Sequence, residues 1–230
     1  SKHVTRGGFS DVLVVDERFA LKIPGNLDQA AAAPLLCAGI TTYSAMRKWH
    51  VGPGKNIGVV GLGGLGHMAL KFAKAFGAKA TLFTSRPEKA QDAFRLGATA
   101  VESSVDPAIS QRLASQFDYI IDTVSAPHDL NAFLTLLKPD GVHCMVGMPN
   151  GASPVFTNAL IYNSRSLSGS QIGGLRETQE MLDFCGKHNI VADIEKIGVT
   201  DINKSFERMH KSDVKYRFVV DLTTLKNVAA

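Results

Sequence analysis

A doubly wound α/β domain, a parallel sheet covered by helices on both faces, is the fold class that the sequence predicts. Two observations predict it. Short apolar runs alternate with segments of helical period through the middle of the chain. The first of these runs passes into a helix through a glycine-rich turn, VGLGGLGHMAL at residues 60–70.

In chain order, residues 56–60 (NIGVV) read as a buried strand introduced by the turn Val51, Gly52, Pro53 and Gly54. Residues 65–76 carry apolar side chains at helical spacing until Gly77 ends the helix. Further strands are expected at 79–83, 99–101, 119–122 and 142–146, separated by helical patterns at 88–96, 107–114 and 130–137. Strand and helix alternating through short connections is what a parallel sheet between two helical layers requires. The stretch IYNSRSLSGSQ, residues 161–171, reads as one more strand beyond that sheet.

Composition narrows the function. At 230 residues with 45% hydrophobic and 20% charged side chains, the chain suffices for one large domain, or for one domain and part of another. No apolar run approaches the roughly 18 residues of a membrane span, and SKHVTRGGFS at the N-terminus lacks the apolar centre of a secretion signal. A soluble, cytoplasmic protein without a membrane partner is expected. Cys37, Cys144 and Cys185 are widely spaced with no CxxC pair, which suits reduced thiols. The net charge of +4 is dispersed, with no basic block interleaved with aromatics, so nucleic acid is not an expected partner.

A lone GxGxxG pattern is weak, and its setting between strand and helix carries the inference. There Gly61 permits the tight turn, Gly63 lets backbone approach a pyrophosphate, and Gly66 lets the helix pack on the sheet. With Gly64 and Leu65 these residues form a Rossmann-type dinucleotide loop whose helix N-terminus faces phosphate. A turn that binds nothing, or a methyl-donor site on a related fold, stands as the alternative. At the end of the second strand, where an acid would meet the ribose of NAD, the chain has Thr84, Ser85, Arg86 and Lys89 instead. Hydroxyls and cations there suit the 2′-phosphate of NADP(H), because Arg grips phosphate with two charge-assisted hydrogen bonds. The plainer alternative is a solvated polar turn opening a helix, with Glu88 in its first turn.

Several segments together resemble a known family. GGFSDVLVVDERFALKIP (7–24), AAAAPLLCAGITTYSAMRKW (30–49), GLGGLGHMALKFAKAFGA (61–78), SGSQIGGLRETQEML (168–182) and DVKYRFVVDL (213–222) resemble, in order and spacing, the C-terminal two thirds of zinc-dependent alcohol dehydrogenases of the medium-chain superfamily. The cinnamyl alcohol dehydrogenase group is the nearest part of it. The resemblance implies three parts: residues 1–24 as the last strands of a truncated, mostly β, GroES-like catalytic domain; 25–179 as the dinucleotide domain; and 180–230 as a segment returning to the catalytic domain.

It also implies site residues. Cys37 corresponds to the third protein ligand of a catalytic zinc, whose first two ligands belong to a preceding domain. Thr41, at the catalytic position, and Val124 with Ser125 resemble residues along the nicotinamide and its ribose. Val146, Gly147 and Met148 follow the fifth strand in the same way, and Ser170 and Ile172 pass the nicotinamide from the other side. Arg217 resembles an arginine that reaches the pyrophosphate, with a surface ion pair as the equal alternative. His50 reads as a helix-end cation, His67 as a packed or cofactor-facing residue, and Cys144 and Cys185 as core. The strand at 161–171 resembles one that pairs with its copy, so a homodimer is expected.

The activity so implied is NADP(H)-dependent hydride transfer between nicotinamide and an aldehyde or primary alcohol, with zinc as metal cofactor, incomplete in this chain. A module that binds NADP(H) without turnover is the competing reading. Zinc-free reduction of an activated enone is a third, with Tyr43 as hydrogen-bond donor.

Overall fold

The computed structural model describes residues 8–10 and 12–227. Its central strands send apolar side chains to both faces in turn. In β1 (Asn56–Val60) Ile57 and Val59 enter one core and Val60 the opposite one. Leu82 and Phe83 of β2 (Lys79–Thr84) divide in the same way, as do Ile121 and Ile120 of β4 (Phe117–Asp122). A two-residue period with both sides buried belongs to a parallel sheet between helical layers. With β3 (Ala100–Ser103), β5 (Leu137–Met145) and β6 (Ser166–Gly169), the sheet has six parallel strands in the order β3-β2-β1-β4-β5-β6.

One face is covered by α2 (Ala38–Lys48), α3 (Gly66–Ala75), α4 (Ala90–Leu96) and α8 (Leu175–His188). There Tyr43, Phe72, Phe76 and Phe184 form a cluster of tilted and edge-on rings. α5 (Ile109–Arg112) and α6 (Leu130–Leu136) cover the other face, with Phe133 edge-on to Phe83. α1 (Gln29–Ala32) is capped by the Asp28 carboxylate on the Ala31 N–H and leads toward α2. α7 (Thr157–Ile161) precedes β6, and α9 (Ile202–His210) connects β7 (Ile194–Gly198) to β8 (Arg217–Asp221), a separate parallel pair. Among the described residues no helix is long and apolar enough to cross a membrane.

The structure differs from the sequence expectations in local ways. Residues 161–171 are not a strand beyond the sheet: only Ser166–Gly169 is extended, and it is the sheet's own sixth strand, paired with β5. Helix α7 runs through Ile161, Ser164 turns with φ 51°, and the Arg165 guanidinium binds the Leu137 and Thr135 carbonyls, so pairing begins only at Ser166 and ends at Gly169. Helix α5 is shorter than 107–114. Of the expected strands in 1–24, residues 1–7 and 11 lie outside the described residues. The remainder forms one short 3-10 turn, Glu17–Phe19, and otherwise irregular chain. That chain is tied down by Lys22, whose N–H and C=O both bond the Gln179 amide of α8. Helix α8 itself crosses the expected boundary at 179/180.

Helix α3 approaches β1 so closely that a Cβ on Gly66 would overlap the Gly61 carbonyl oxygen, whereas a Cβ on Gly63 meets nothing within 4 Å. Gly66→Ala is therefore expected to lower stability by about 2 kcal/mol and Gly63→Ala by far less. Urea unfolding of the two variants checks this, and equal losses would contradict it.

Candidate functional site

The order of the strands places a crevice at the C-terminal end of β1, where the chain, having added β2 and β3 on one side, crosses to β4 on the other. Gly61 turns the chain there with φ 88°, and its N–H bonds the Phe83 carbonyl at 2.9 Å. Helix α3 then starts with no side chain capping its N-terminus. Its positive end faces the crevice.

Three adjoining cavities follow the strand ends. One of about 410 Å³ is lined by Thr84, Ser85, Arg86, Lys89 and Val124, among others. The next, about 450 Å³, includes Gly63, Gly64 and Arg217 and shares Leu62 and Lys89 with the first. The third, about 600 Å³, includes Cys37, Thr41 and Ser170 and shares Leu65 and Arg217 with the second. Shared walls make them one trough.

Each part of the trough has a local cause. The Thr84 hydroxyl is buried and accepts the Arg86 N–H at 3.1 Å, so it shapes the turn that leaves Ser85 and Arg86 exposed. The Lys89 ammonium donates to the Leu62 carbonyl at 2.8 Å, and burial, with Arg86 near, pushes its pKa down. On β8, Arg217 lies over Gly64, where any Cβ would overlap its guanidinium, and its buried Nε has no hydrogen-bond partner. At the far end, Thr41 donates to the Gln171 carbonyl at 3.0 Å, and the Val146 and Gly147 N–H groups both bond the Asp122 carbonyl.

The sequence-expected residues are thus mostly gathered. Met148 and its neighbours Val146 and Gly147 line the third cavity. Val124, however, lines the cavity of Arg86, and Ser125 lies outside all three walls, where its hydroxyl meets the Met148 N–H at 3.4 Å. Ile172 is 56% exposed and beside rather than in the trough. Tyr43 is 4% exposed within the ring cluster on α2 and lies outside the cavity of Cys37, so it is not placed as the hydrogen-bond donor for an enone there; the helical period turns it to the core. Cys37 is exposed at the start of α2, and among the described residues no three His, Cys, Asp or Glu side chains gather as a metal site.

Two networks had no signal in the sequence beyond isolated polar letters. Asp193 pairs with Lys71 of α3 and, at 2.5 Å, with Arg95 of α4; Tyr216 bonds Asp92 and stacks on His67 with ring centroids 5.0 Å apart. These contacts hold the strand carrying Arg217 against α3 and α4. The second network is Asp122, wholly buried, with His128 at 2.6 Å and His143 at 3.1 Å. Burial raises the Asp122 pKa, but the two histidine hydrogen bonds outweigh it and hold the carboxyl down at about 2.

A family model described as zinc-binding dehydrogenase matches residues 64–187, more than half of the chain. The NADP-dependent alcohol dehydrogenase C 1 of Mycolicibacterium smegmatis is 50% identical over 223 residues, which are 97% of this chain and 64% of that protein. The aldehyde reductase YahK of Escherichia coli is 52% identical over 224 residues, 96% of this chain and 64% of its own. A cinnamyl alcohol dehydrogenase of Sorghum bicolor superposes with a TM-score of 0.93 at 47% identity, covering 96% of this chain and 63% of that one. The chain spans about 64% of the length of these curated relatives.

His67 offers a test of the first network. Its Nε2 accepts the Asp193 N–H and its Nδ1 faces the Gly63 carbonyl, which the neutral ring satisfies. Burial, then Lys71, pushes its pKa from 6.5 down to about 4. The folded value lies below the unfolded one, so stability is full above pH 6.5 and is lost as pH falls toward about 4. The loss expected is roughly 3 kcal/mol, and His67→Gln should flatten it. Urea unfolding at about pH 7 and about pH 4.5 checks this; identical slopes in both proteins would contradict it.

Proposed function

The chain belongs to the zinc-binding dehydrogenase family, and from that premise we propose that its trough holds NADP(H) and presents the nicotinamide for hydride exchange with an aldehyde or primary alcohol. The observation that carries the proposal is Arg217: a buried guanidinium nitrogen without a partner, lying over Gly64 beside the uncapped start of α3. A pyrophosphate supplies the missing acceptor and the negative charge that this helix end favours. The names of the similar proteins support the same cofactor and substrate class.

The residues divide the work by position. Arg86, exposed on its turn, takes the 2′-phosphate, while Thr84 and Lys89 hold that turn and the Leu62 carbonyl in place. Gly63 leaves room for the backbone to touch the diphosphate. Thr41, Val146, Gly147 and Ser170 wall the nicotinamide end beside Cys37. The cofactor supplies the hydride; the chain's part is to hold and orient it.

Zinc fits less completely. A catalytic zinc takes three protein ligands, and the described residues offer the Cys37 thiol with no second or third ligand gathered around it. The six-stranded sheet, residues 56–169, lies within 25–179 and supports reading that span as the cofactor-binding unit. β6 is one of the sheet's two edges, with Ile161 and Tyr162 exposed beside it, which supports pairing with a second copy. A monomer mass by light scattering would overturn that pairing.

Quenching or enhancement of NADPH fluorescence on titration tests the cofactor reading. Arg86→Ala should weaken NADPH binding by about tenfold or more and leave NADH binding nearly unchanged. Equal losses for both nucleotides would remove Arg86 from the 2′-phosphate site. Oxidation of NADPH with an aldehyde, followed by absorbance, tests turnover.

A further inference from the structure

We propose that His128 is a positioning residue for the cofactor and acts in its doubly protonated form, as a third cation of the Arg86 cavity anchored on the buried Asp122 carboxylate. The proposal deepens the NADP(H) reading and rests on it.

The protonation state follows from the ring's neighbours. His128 Nδ1 lies 2.9 Å from the Ala126 carbonyl oxygen and Nε2 lies 2.6 Å from Asp122 Oδ2. Both neighbours only accept. A neutral imidazole has one N–H and would turn a lone pair on one of these oxygens, whereas the imidazolium satisfies both. His67 shows the contrast, with one donor and one acceptor as neighbours.

The placement gives that proton a consequence. The Asp122 carboxylate also accepts the Val124 N–H at 3.0 Å, and its backbone carbonyl accepts from Val146 and Gly147. One residue thus fastens the turn after β4 and the exit of β5, two walls of the trough. His128, through Ala126 and Asp122, closes the far end of the first turn, and its side chain lines the same cavity as Arg86 and Lys89. Since β1 lies between β2 and β4, the cations reach this cavity from both sides of the glycine turn.

The charged and titratable groups around the ring are few. Asp122 faces it from β4, and His143 of β5 shares that carboxylate with its own Nδ1 buried and unpartnered. Asp129 adjoins it in the chain and favours the cation, as does Asp122, while burial opposes. Arg86 and Lys89 share the cavity, and Ser212 is the neutral contribution of the segment after α9. Loss of the ring proton removes the positive charge that His128 sets beside Asp122, next to a phosphate-binding cavity, and leaves the carboxylate only His143 and the Val124 N–H as its other partners. Cofactor affinity accordingly falls as pH rises through the pKa of His128, and by reciprocity the bound cofactor raises that pKa.

The test is NADPH binding by the full chain, measured by fluorescence from about pH 6.5, the ordinary histidine midpoint, to about pH 9.5; the 2′-phosphate, with a second pKa of about 6, titrates alike in wild type and variant. The wild type should lose about tenfold in affinity over this range, and His128→Gln should bind at the weaker level throughout with no such slope. Equal slopes in the two proteins, with binding intact, overturn the proposal and leave the cofactor reading standing. No NADPH binding by the wild type at any pH overturns the cofactor reading itself. Should the variant fail to fold, nitrogen NMR of the wild-type histidines decides. His128 should be more than half protonated at pH 6.5, its ordinary midpoint, and its titration should move upward on adding NADPH. A neutral ring, or a midpoint that NADPH does not move, overturns the proposal.

Discussion

The contact between Gly66 at the start of α3 and the Gly61 carbonyl at the end of β1 sets the frame for the rest of the molecule. Only without a side chain can the helix come so near the strand, and that nearness brings its N-terminus to the crevice rather than above it. Thr123 reinforces the junction by donating its hydroxyl proton to the Val60 carbonyl at 2.7 Å, which ties the end of β4 to the end of β1. Leu62 is then buried and Gly63 exposed, so the loop presents backbone outward. The cavities of the trough lie around this close approach.

A cation lies over the loop, and it comes from distant chain. Arg217 reaches Gly64 because β8 is held to α3 and α4 by Asp193, Tyr216 and Asp92. These contacts differ in worth. Arg95 is 54% exposed, so its ion pair with Asp193 contributes little to stability, whereas Lys71 and Asp193 are each largely buried and partnered. Their common effect is orientation: a rigid strand delivers one guanidinium to one place.

Charge in the trough is arranged with few acids. Arg86, Lys89, His128 and Arg217 line it, and Asp129 is the acid that shares a wall with them, its carboxylate engaged by the Asn131 N–H and side-chain amide. Asp122 lies below the surface, where its negative charge would oppose a phosphate were it not bound by two histidines. In the proposed cofactor site, a buried carboxylate held by two histidines thus matters alongside the exposed cations.

The sequence by itself determined what neighbouring residues settle among themselves. Strand, glycine turn and helix between 56 and 77 are legible because burial period, turn chemistry and helix termination all act within a few residues, and the Thr84 to Lys89 cluster is legible for the same reason. The family is legible because its motifs recur in order. Tertiary structure alone decided which distant groups meet. Arg217 over Gly64, Tyr216 against Asp92, and His128 and His143 on Asp122 join residues whose spacing in the chain carries no period. It also made residues 166–169 the sixth strand of the sheet and turned Tyr43 into the core. Local periodicity encodes which side of an element is buried, but the partner that buries it is chosen by packing of the whole chain.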